Sequence, residues 1–347
     1  MRVLFVSTHP HWPELVGGLQ STTHETCLAF LKLGVEVGVL CVQRNPPELE
    51  PPAPPVVRDI HLGYPVLRCR TLRADALSLI AGFDPDVLVL QSGPQLVPLL
   101  GMCQRSGLPL CVYLHNVELA HLGGSLWPDP ELLYLANSDF CARRWRDLAG
   151  LDCAVITPLI DDARCLVEGQ GDHVLFVNPV PIKGVERALA LAGACPEIPF
   201  LIQESWQMEA GARARYRQRA ASLPNLTWCE PTLDMASVYA KSRVLLMPSV
   251  WEEAFGRTAV EAQVNGIPVL ASTRGGLPQS VGSGGLLLPL DAEWTLWVDA
   301  LHRLYWPGPV RDEKVVAAIA NANALATPSL TAARLLGLLL AHVQRWQ

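Results

Sequence analysis

The sequence predicts an α/β protein built from two Rossmann-like, doubly wound domains facing a cleft. Three observations predict it. Short β-branched runs alternate with longer amphipathic runs along the 347 residues. The strand-like runs are continuously apolar, as strands covered on both faces are. The alternation also starts twice, at Arg2 and again at His173, and strand–helix alternation implies a parallel sheet. At roughly 100–200 residues per domain the length agrees with two domains.

The first series opens with Arg2–Ser7 (RVLFVS) as a buried strand, followed by a helix over Gly18–Leu33 and a strand over Glu36–Val42. Asp86–Gln91, Pro109–His115 and Leu132–Ala136 supply further strands. Residues 46–55 carry six prolines (PPELEPPAPP), which excludes both helix and strand and predicts an exposed loop. The second series runs through His173–Asn178, Ile198–Gln203, Leu226–Cys229, Arg243–Pro248 and Pro268–Ala271, with helices such as Gly184–Ala194 and Glu209–Ser222 between them. The boundary falls near residues 158–172. The predicted division is a first Rossmann-like domain over 1–165, a second over 166–325, and an amphipathic C-terminal helix over 326–347 returning to the first domain.

Half the residues are hydrophobic and 17% are charged, enough for a sizeable core. The net charge of −6 argues against a nucleic-acid partner, which needs a basic face. Ten cysteines lie between residues 27 and 229 with no C-x-x-C and no zinc spacing, so they read as buried free thiols. The N-terminal apolar run is too short for a signal peptide, and no stretch reads as the ~18 apolar residues that a bilayer span needs. The expectation is a soluble, cytoplasmic protein, at most peripheral to the inner face of the membrane.

Ligands of open parallel sheets bind beyond the carboxyl ends of the strands, so the residues after each strand carry the chemistry. The richest segment is Pro248–Gly276, PSVWEEAFGRTAVEAQVNGIPVLASTRGG. A strand ends at Met247, a loop carries Glu252 and Glu253, and a helix opening at Phe255–Gly256 contains Glu261. Seven residues separate Glu253 from Glu261, placing the first in a loop and the second about one and a half turns into a helix. Between them the amides of Gly256, Arg257 and Thr258 stand at a helix start, where an anion is favoured. Carboxylate, anion site and carboxylate offer partners for sugar hydroxyls, diphosphate and ribose hydroxyls of a nucleotide-sugar donor.

This segment resembles the E-x(7)-E signature of the family 4 retaining glycosyltransferases, which have the GT-B fold. Gly275–Gly276 after the next strand and Lys183–Gly184 after the first strand of the second domain fit the same pattern. The resemblance implies that Glu253 contacts the transferred sugar, Glu261 the ribose, and Lys183 the donor diphosphate. Phe255, Gly256, Arg257 and Thr258 then belong to the donor site. In the first domain the resemblance places Gly17–Gly18 as a glycine turn near the donor phosphates and acceptor, and His115 as a strand-end histidine whose ring contacts the sugar. It is sharp only between residues 174 and 290. One departure stands out: the family usually has an arginine five residues before the lysine, and here that position is Asn178, which can donate hydrogen bonds but brings no charge. Arg257 and Arg187 are the candidates to compensate.

Several signals read as structural. Asp84-Pro-Asp86 has metal-binding D-x-D spacing but stands before a strand, where it reads as a turn. Asn137–Ser138 reads as another turn. Arg213, Arg215, Arg217 and Arg219, and Arg143, Arg144 and Arg146, read as solvated surface, with weak attraction to anionic lipid as the alternative. No metal and no cofactor are expected. The predicted function is transfer of a hexose, with retention, from a nucleotide-diphosphate sugar to a glycan, lipid-linked or small-molecule acceptor. The catalytic residues are Glu253, His115 and Lys183. Competing readings are an epimerase or phosphorylase of the same fold, and a non-catalytic binding protein.

Overall fold

The computed structural model describes residues 1–44, 56–120, 122–169 and 171–346. The proline-rich run 46–55 lies outside the described residues. The chain divides into two compact units, Met1–Leu159 with Pro328–Gln347, and Ile160–Thr327.

The first unit contains β1 (Arg2–Ser7), α1 (Gly18–Lys32), β2 (Glu36–Val42), β3 (Val56–Asp59), β4 (Val66–Cys69), α2 (Leu72–Phe83), β5 (Val87–Gln91), α3 (Leu96–Gln104), β6 (Leu110–Leu114), β7 (Leu132–Ala136), α4 (Asp139–Ala149) and β8 (Ala154–Val155). The second contains β9 (His173–Val177), α5 (Val185–Ala194), β10 (Phe200–Gln203), α6 (Ala210–Ala221), β11 (Leu226–Cys229), α7 (Met235–Tyr239), β12 (Ser242–Met247), α8 (Arg257–Gln263), β13 (Val269–Ser272), α9 (Leu277–Val281), β14 (Gly285–Leu288), α10 (Trp294–Tyr305) and α11 (Pro309–Leu325). The last helix, α12 (Pro328–Trp346), belongs to the first unit.

The sheet of the first unit has the order β3-β4-β2-β1-β5-β6-β7-β8, parallel except for the antiparallel β3–β4 pair. The sheet of the second is β11-β10-β9-β12-β13-β14 and parallel throughout. Counted within that unit, this is the doubly wound order 3-2-1-4-5-6, whose direction reverses between β9 and β12. Continuous hydrophobicity has the anticipated cause. Alternate residues of β1 feed two cores: Leu4 and Val6 pack with α2, α3 and α4, while Val3 and Phe5 pack with α1 and α12. In the second unit Val174 and Phe176 of β9 meet α5, α6 and α10, and Leu175 meets α7, α8 and α9.

Predicted strands retreat by a residue or two where a proline or polar residue stood at the end, as at Pro109, Pro248 and Pro268. The antiparallel edge strand β3 went unpredicted because its four residues abut the proline run. The first boundary falls after Leu159 rather than at 165, because Cys165 packs with Leu175 and Leu245 of the second unit. Asp84 closes α2 in the left-handed conformation, and Asp86 accepts the Arg2 amide at 2.6 Å, so the D-x-D spacing serves a turn. All ten cysteines are free, nine of them buried. One expectation needs correction: Pro309–Trp346 is long and apolar enough, by length and composition, to count as a candidate membrane span. The structure breaks it at Ala326–Thr327 into α11 and α12, which join different units. Ala332, Leu335 and Leu339 of α12 are buried against the first unit, where the His342 ring nitrogen Nε2 lies 2.9 Å from the Leu110 carbonyl.

Candidate functional site

In the second unit the sheet reverses between β9 and β12, and the loops after these two strands are stitched together. Asn178 follows β9 with φ 68°, a left-handed conformation that asparagine tolerates better than most residues. A single 3₁₀ turn, Pro181–Lys183, comes next. Gly184 has φ 86°, and a Cβ there would lie 2.2 Å from the Pro248 carbonyl oxygen. Only glycine lets the two backbones approach so closely. The Ile182 carbonyl then accepts hydrogen bonds from the amides of Val250 and Trp251, both at 3.0 Å.

The loop after β12 is fixed from its other side. The Ser272 hydroxyl donates to the Ser249 carbonyl at 2.7 Å, and the Gly276 amide donates to the Glu253 carbonyl at 2.6 Å. Gly275, at φ 63°, leaves no room for a side chain: a Cβ would meet the Glu253 oxygen at 2.3 Å. The glycine pair thus clamps the backbone that carries Glu253.

These constraints bring Lys183 and Glu253 into contact. Lys183 Nζ lies 2.7 Å from each carboxylate oxygen, and the Ser249 hydroxyl donates to Glu253 Oε1 at 2.7 Å. The side chains are 15% and 6% exposed, so the pair is largely withdrawn from water. Leaving either charge alone in such a place costs about 3–5 kcal/mol. The ammonium also sits over two indoles, 4.9 Å from the Trp206 ring centre and 4.8 Å from that of Trp251. The arrangement provides a cation that can turn from a carboxylate to an incoming anion, and a carboxylate that can accept from hydroxyls.

Other predicted residues are placed differently. Glu261 is buried on α8, accepting the Tyr239 hydroxyl at 2.6 Å on Oε2 and Arg257 Nε on Oε1. Both oxygens therefore already have a partner within the fold. Arg257 is committed to that pair. Arg187 donates to the Leu290 carbonyl and lies over the Trp297 ring, so both proposed compensating cations are engaged within the fold. Gly256, at φ 93°, starts α8 with no side-chain cap, but α8 has only seven residues. The Thr258 hydroxyl faces the Met247 sulfur at 3.7 Å. The Phe255 ring packs with Ile160, Val260 and Ala322, as a large apolar ring gains by burial. Asn178 Oδ1 accepts the Trp206 amide at 3.2 Å.

In the first unit, Gly17 precedes α1 in an extended conformation, and Gly18 is the first helical residue. His115 follows β6. Its amide donates to the Ser92 hydroxyl at 2.8 Å, and its ring lies 4.0 Å from that of Tyr113. Its Nε2 is buried without a hydrogen-bond partner, and burial lowers the pKa to about 3, so the ring is neutral. Asn137–Ser138 is a turn as read: Ser138 caps α4, accepting the Cys141 amide at 2.9 Å. The arginines of α6 are not simply solvated. Arg213 and Arg217 pair with Glu230 at 2.5 Å each, and Arg219 pairs with Glu186 at the same distance.

Ser249, Trp206 and Trp251 were missed by sequence reasoning. All three follow strands, so the strand-end rule was signal enough for Ser249 and Trp206. A group of metal-ligating type also went unnoticed, because His302 is far along the chain from Cys195 and Glu197: ligand atoms of the three lie within 4.8 Å of one another. There Glu197 already pairs with His302 at 3.0 Å.

Comparison with known proteins places this geometry in context. A family model described as Glycosyltransferase Family 4 matches residues 16–164, and one described as Glycosyl transferases group 1 matches residues 186–306. A D-inositol 3-phosphate glycosyltransferase of Corynebacterium diphtheriae is 39% identical over 93 residues, 26% of this chain and 22% of that protein. One of Paenarthrobacter aurescens is 32% identical over 170 residues, 45% of this chain and 41% of that protein. The alignments thus span less than half the length of these relatives. Among solved structures, a glycosyltransferase of Rickettsia africae has a TM-score of 0.76 at 13% identity, covering 99% of this chain and 98% of that one. HepE of Anabaena, in complex with UDP and glucose, has a TM-score of 0.77 at 15% identity, covering 98% and 100%. The fold is that of the GT-B glycosyltransferases, and with a glycosyltransferase model matching each half, the chain belongs among the glycosyltransferases and resembles those of family 4.

Proposed function

We propose that this glycosyltransferase moves a hexose, with retention, from a nucleotide-diphosphate sugar to a glycan, lipid-linked or small-molecule acceptor. The observation that carries the reading is the Lys183–Glu253–Ser249 constellation beyond β9 and β12, where the sheet order reverses. Negative charge gathers on the diphosphate as the bond to the sugar carbon breaks. Lys183 is placed to stabilise that charge, and stabilisation that grows toward the transition state raises the rate. Glu253 accepts from sugar hydroxyls once the ammonium turns to the phosphate. The departing phosphate oxygen takes the acceptor's proton as the acceptor bonds to the same face of the sugar carbon, so no protein base is required. His115 is assigned to the sugar, as a neutral hydrogen-bonding ring, and the acceptor contacts to the loops of the first unit.

HepE was solved with UDP and with UDP-glucose, which makes uridine diphosphate the first ligand to try. The Glu253→Gln variant is expected to bind the nucleoside diphosphate while transfer falls by at least about a hundredfold, the scale of losing one transition-state contact. Lys183→Met is expected to weaken diphosphate binding. Calorimetry with uridine, guanosine, adenosine and thymidine diphosphates, beside a radiolabelled transfer assay, checks both. Wild-type turnover in Glu253→Gln removes that residue from the reaction.

A further inference from the structure

We propose that Trp206 and Trp251 are positioning residues that hold the Lys183 ammonium against two indole rings, a clamp that leaves it poised for a ligand's phosphates. The proposal rests on the donor site proposed above. Three observations carry it. Lys183 Nζ lies within 5 Å of both ring centres, 4.9 Å from Trp206 and 4.8 Å from Trp251, inside the ~6 Å reach of cation–π attraction. The two rings also touch each other edge to face, 6.1 Å apart at 66°. Each ring is also tied to the lysine's own surroundings through the backbone. The Trp251 amide donates to the Ile182 carbonyl, next to Lys183, and the Trp206 amide donates to the Asn178 side chain.

Asn178 thereby acquires a role. It stands where an arginine would bring a second charge, and instead it fixes the turn that carries Trp206. Its own amide donates to the Gln203 carbonyl at 2.8 Å, which anchors the turn to the end of β10. Arg187 and Arg257 are engaged elsewhere, and the half-exposed Arg274 pairs with Glu252 and the Val250 carbonyl, so Lys183 is the largely buried cation beside Glu253. An indole face suits this task for a physical reason. A carboxylate partner neutralises a lysine and competes with an incoming diphosphate. A π face stabilises the ammonium without consuming its N–H donors, so they remain available when Glu253 releases the lysine to the phosphate. The clamp also limits the rotamer freedom of a long flexible side chain, which lowers the entropic cost of binding.

The test is a double-mutant cycle read by calorimetry with UDP, with uridine as the control lacking phosphates. Trp206→Leu and Trp251→Leu are each expected to weaken UDP binding by about fivefold to tenfold while uridine binding holds, and the phenylalanine variants are expected to recover most of the loss. In a Lys183→Met background the same leucine substitutions are expected to cost nothing further, because the clamp has no cation to hold. Full UDP affinity in both leucine variants overturns the clamp and leaves the donor site standing. Equal losses with and without Lys183 also overturn it, by showing that the rings act on another part of the ligand. If the leucine variants fail to fold, wild-type UDP affinity together with wild-type transfer in a Trp206→Phe, Trp251→Phe double variant overturns it, since two weaker faces must show a deficit. A wild-type protein that binds none of the four nucleoside diphosphates sinks the donor site itself, and the clamp with it.

Discussion

At the residue scale, the titrating groups of the first unit separate burial from function. His115 is held neutral by burial, its pKa lowered to about 3, and His11 is lowered to about 3 by burial and then by Arg68 and His24. Above an ordinary histidine pKa near 6.5 the ring is neutral in folded and unfolded chains alike. Below that, the unfolded chain takes up a proton that the folded one refuses, so stability falls as pH drops from about 6.5 toward 3. His115→Leu removes its share of this slope, and its unpartnered Nε2 leaves no hydrogen bond to lose. Urea titrations at pH 7.5 and 5 are expected to show a smaller loss of midpoint in the variant than in wild type. The sequence exposed the ionisable residues of the candidate site because Glu253, Glu261 and Lys183 sit in patterns that can be read along the chain. It hid their partners. The i,i+4 spacing of Arg257 and Glu261 is local, but nothing local announces that Tyr239 takes the other oxygen of Glu261, or that two tryptophans from separate loops meet over one ammonium.

At the element scale, the strands were legible and their ends nearly so, because continuous apolar runs between polar breaks fix where a doubly covered strand can lie. Short or irregular elements were not. β3 is four residues beside prolines, and β8 is two. The motif position of Phe255 was legible, but the packing of its ring with Ile160 and Ala322 was not. The glycines show what a motif is for. Gly184 lies against the Pro248 carbonyl and Gly275 against the Glu253 backbone, so both keep the two strand-end loops in register. Gly184→Ala adds a Cβ at 2.2 Å from that carbonyl in a left-handed conformation. The expected cost is about 2–4 kcal/mol, combining backbone strain with overpacking. Chemical denaturation checks it, and a variant as stable as wild type contradicts the close approach.

At the scale of the whole molecule, α12 decides how the chain is partitioned. The C-terminal helix had been read from its amphipathic pattern as returning to the first domain, and it packs in the first unit through Ala332, Leu335 and Leu339. Burying each leucine is worth on the order of 1.5–3 kcal/mol. Truncation after Thr327 is therefore expected to lower the melting transition of the first unit and leave that of the second in place, as scanning calorimetry can resolve. Two transitions shifting together contradict the partition. The same topology orders events on the ribosome. Residues 160–327 form an uninterrupted stretch that can collapse as soon as it emerges, whereas the earlier-made half must wait, one apolar flank uncovered, for the final helix to be synthesised. The later-born unit is thus the first able to mature, and the nascent amino-terminal half is where a chaperone has the longest opportunity to bind.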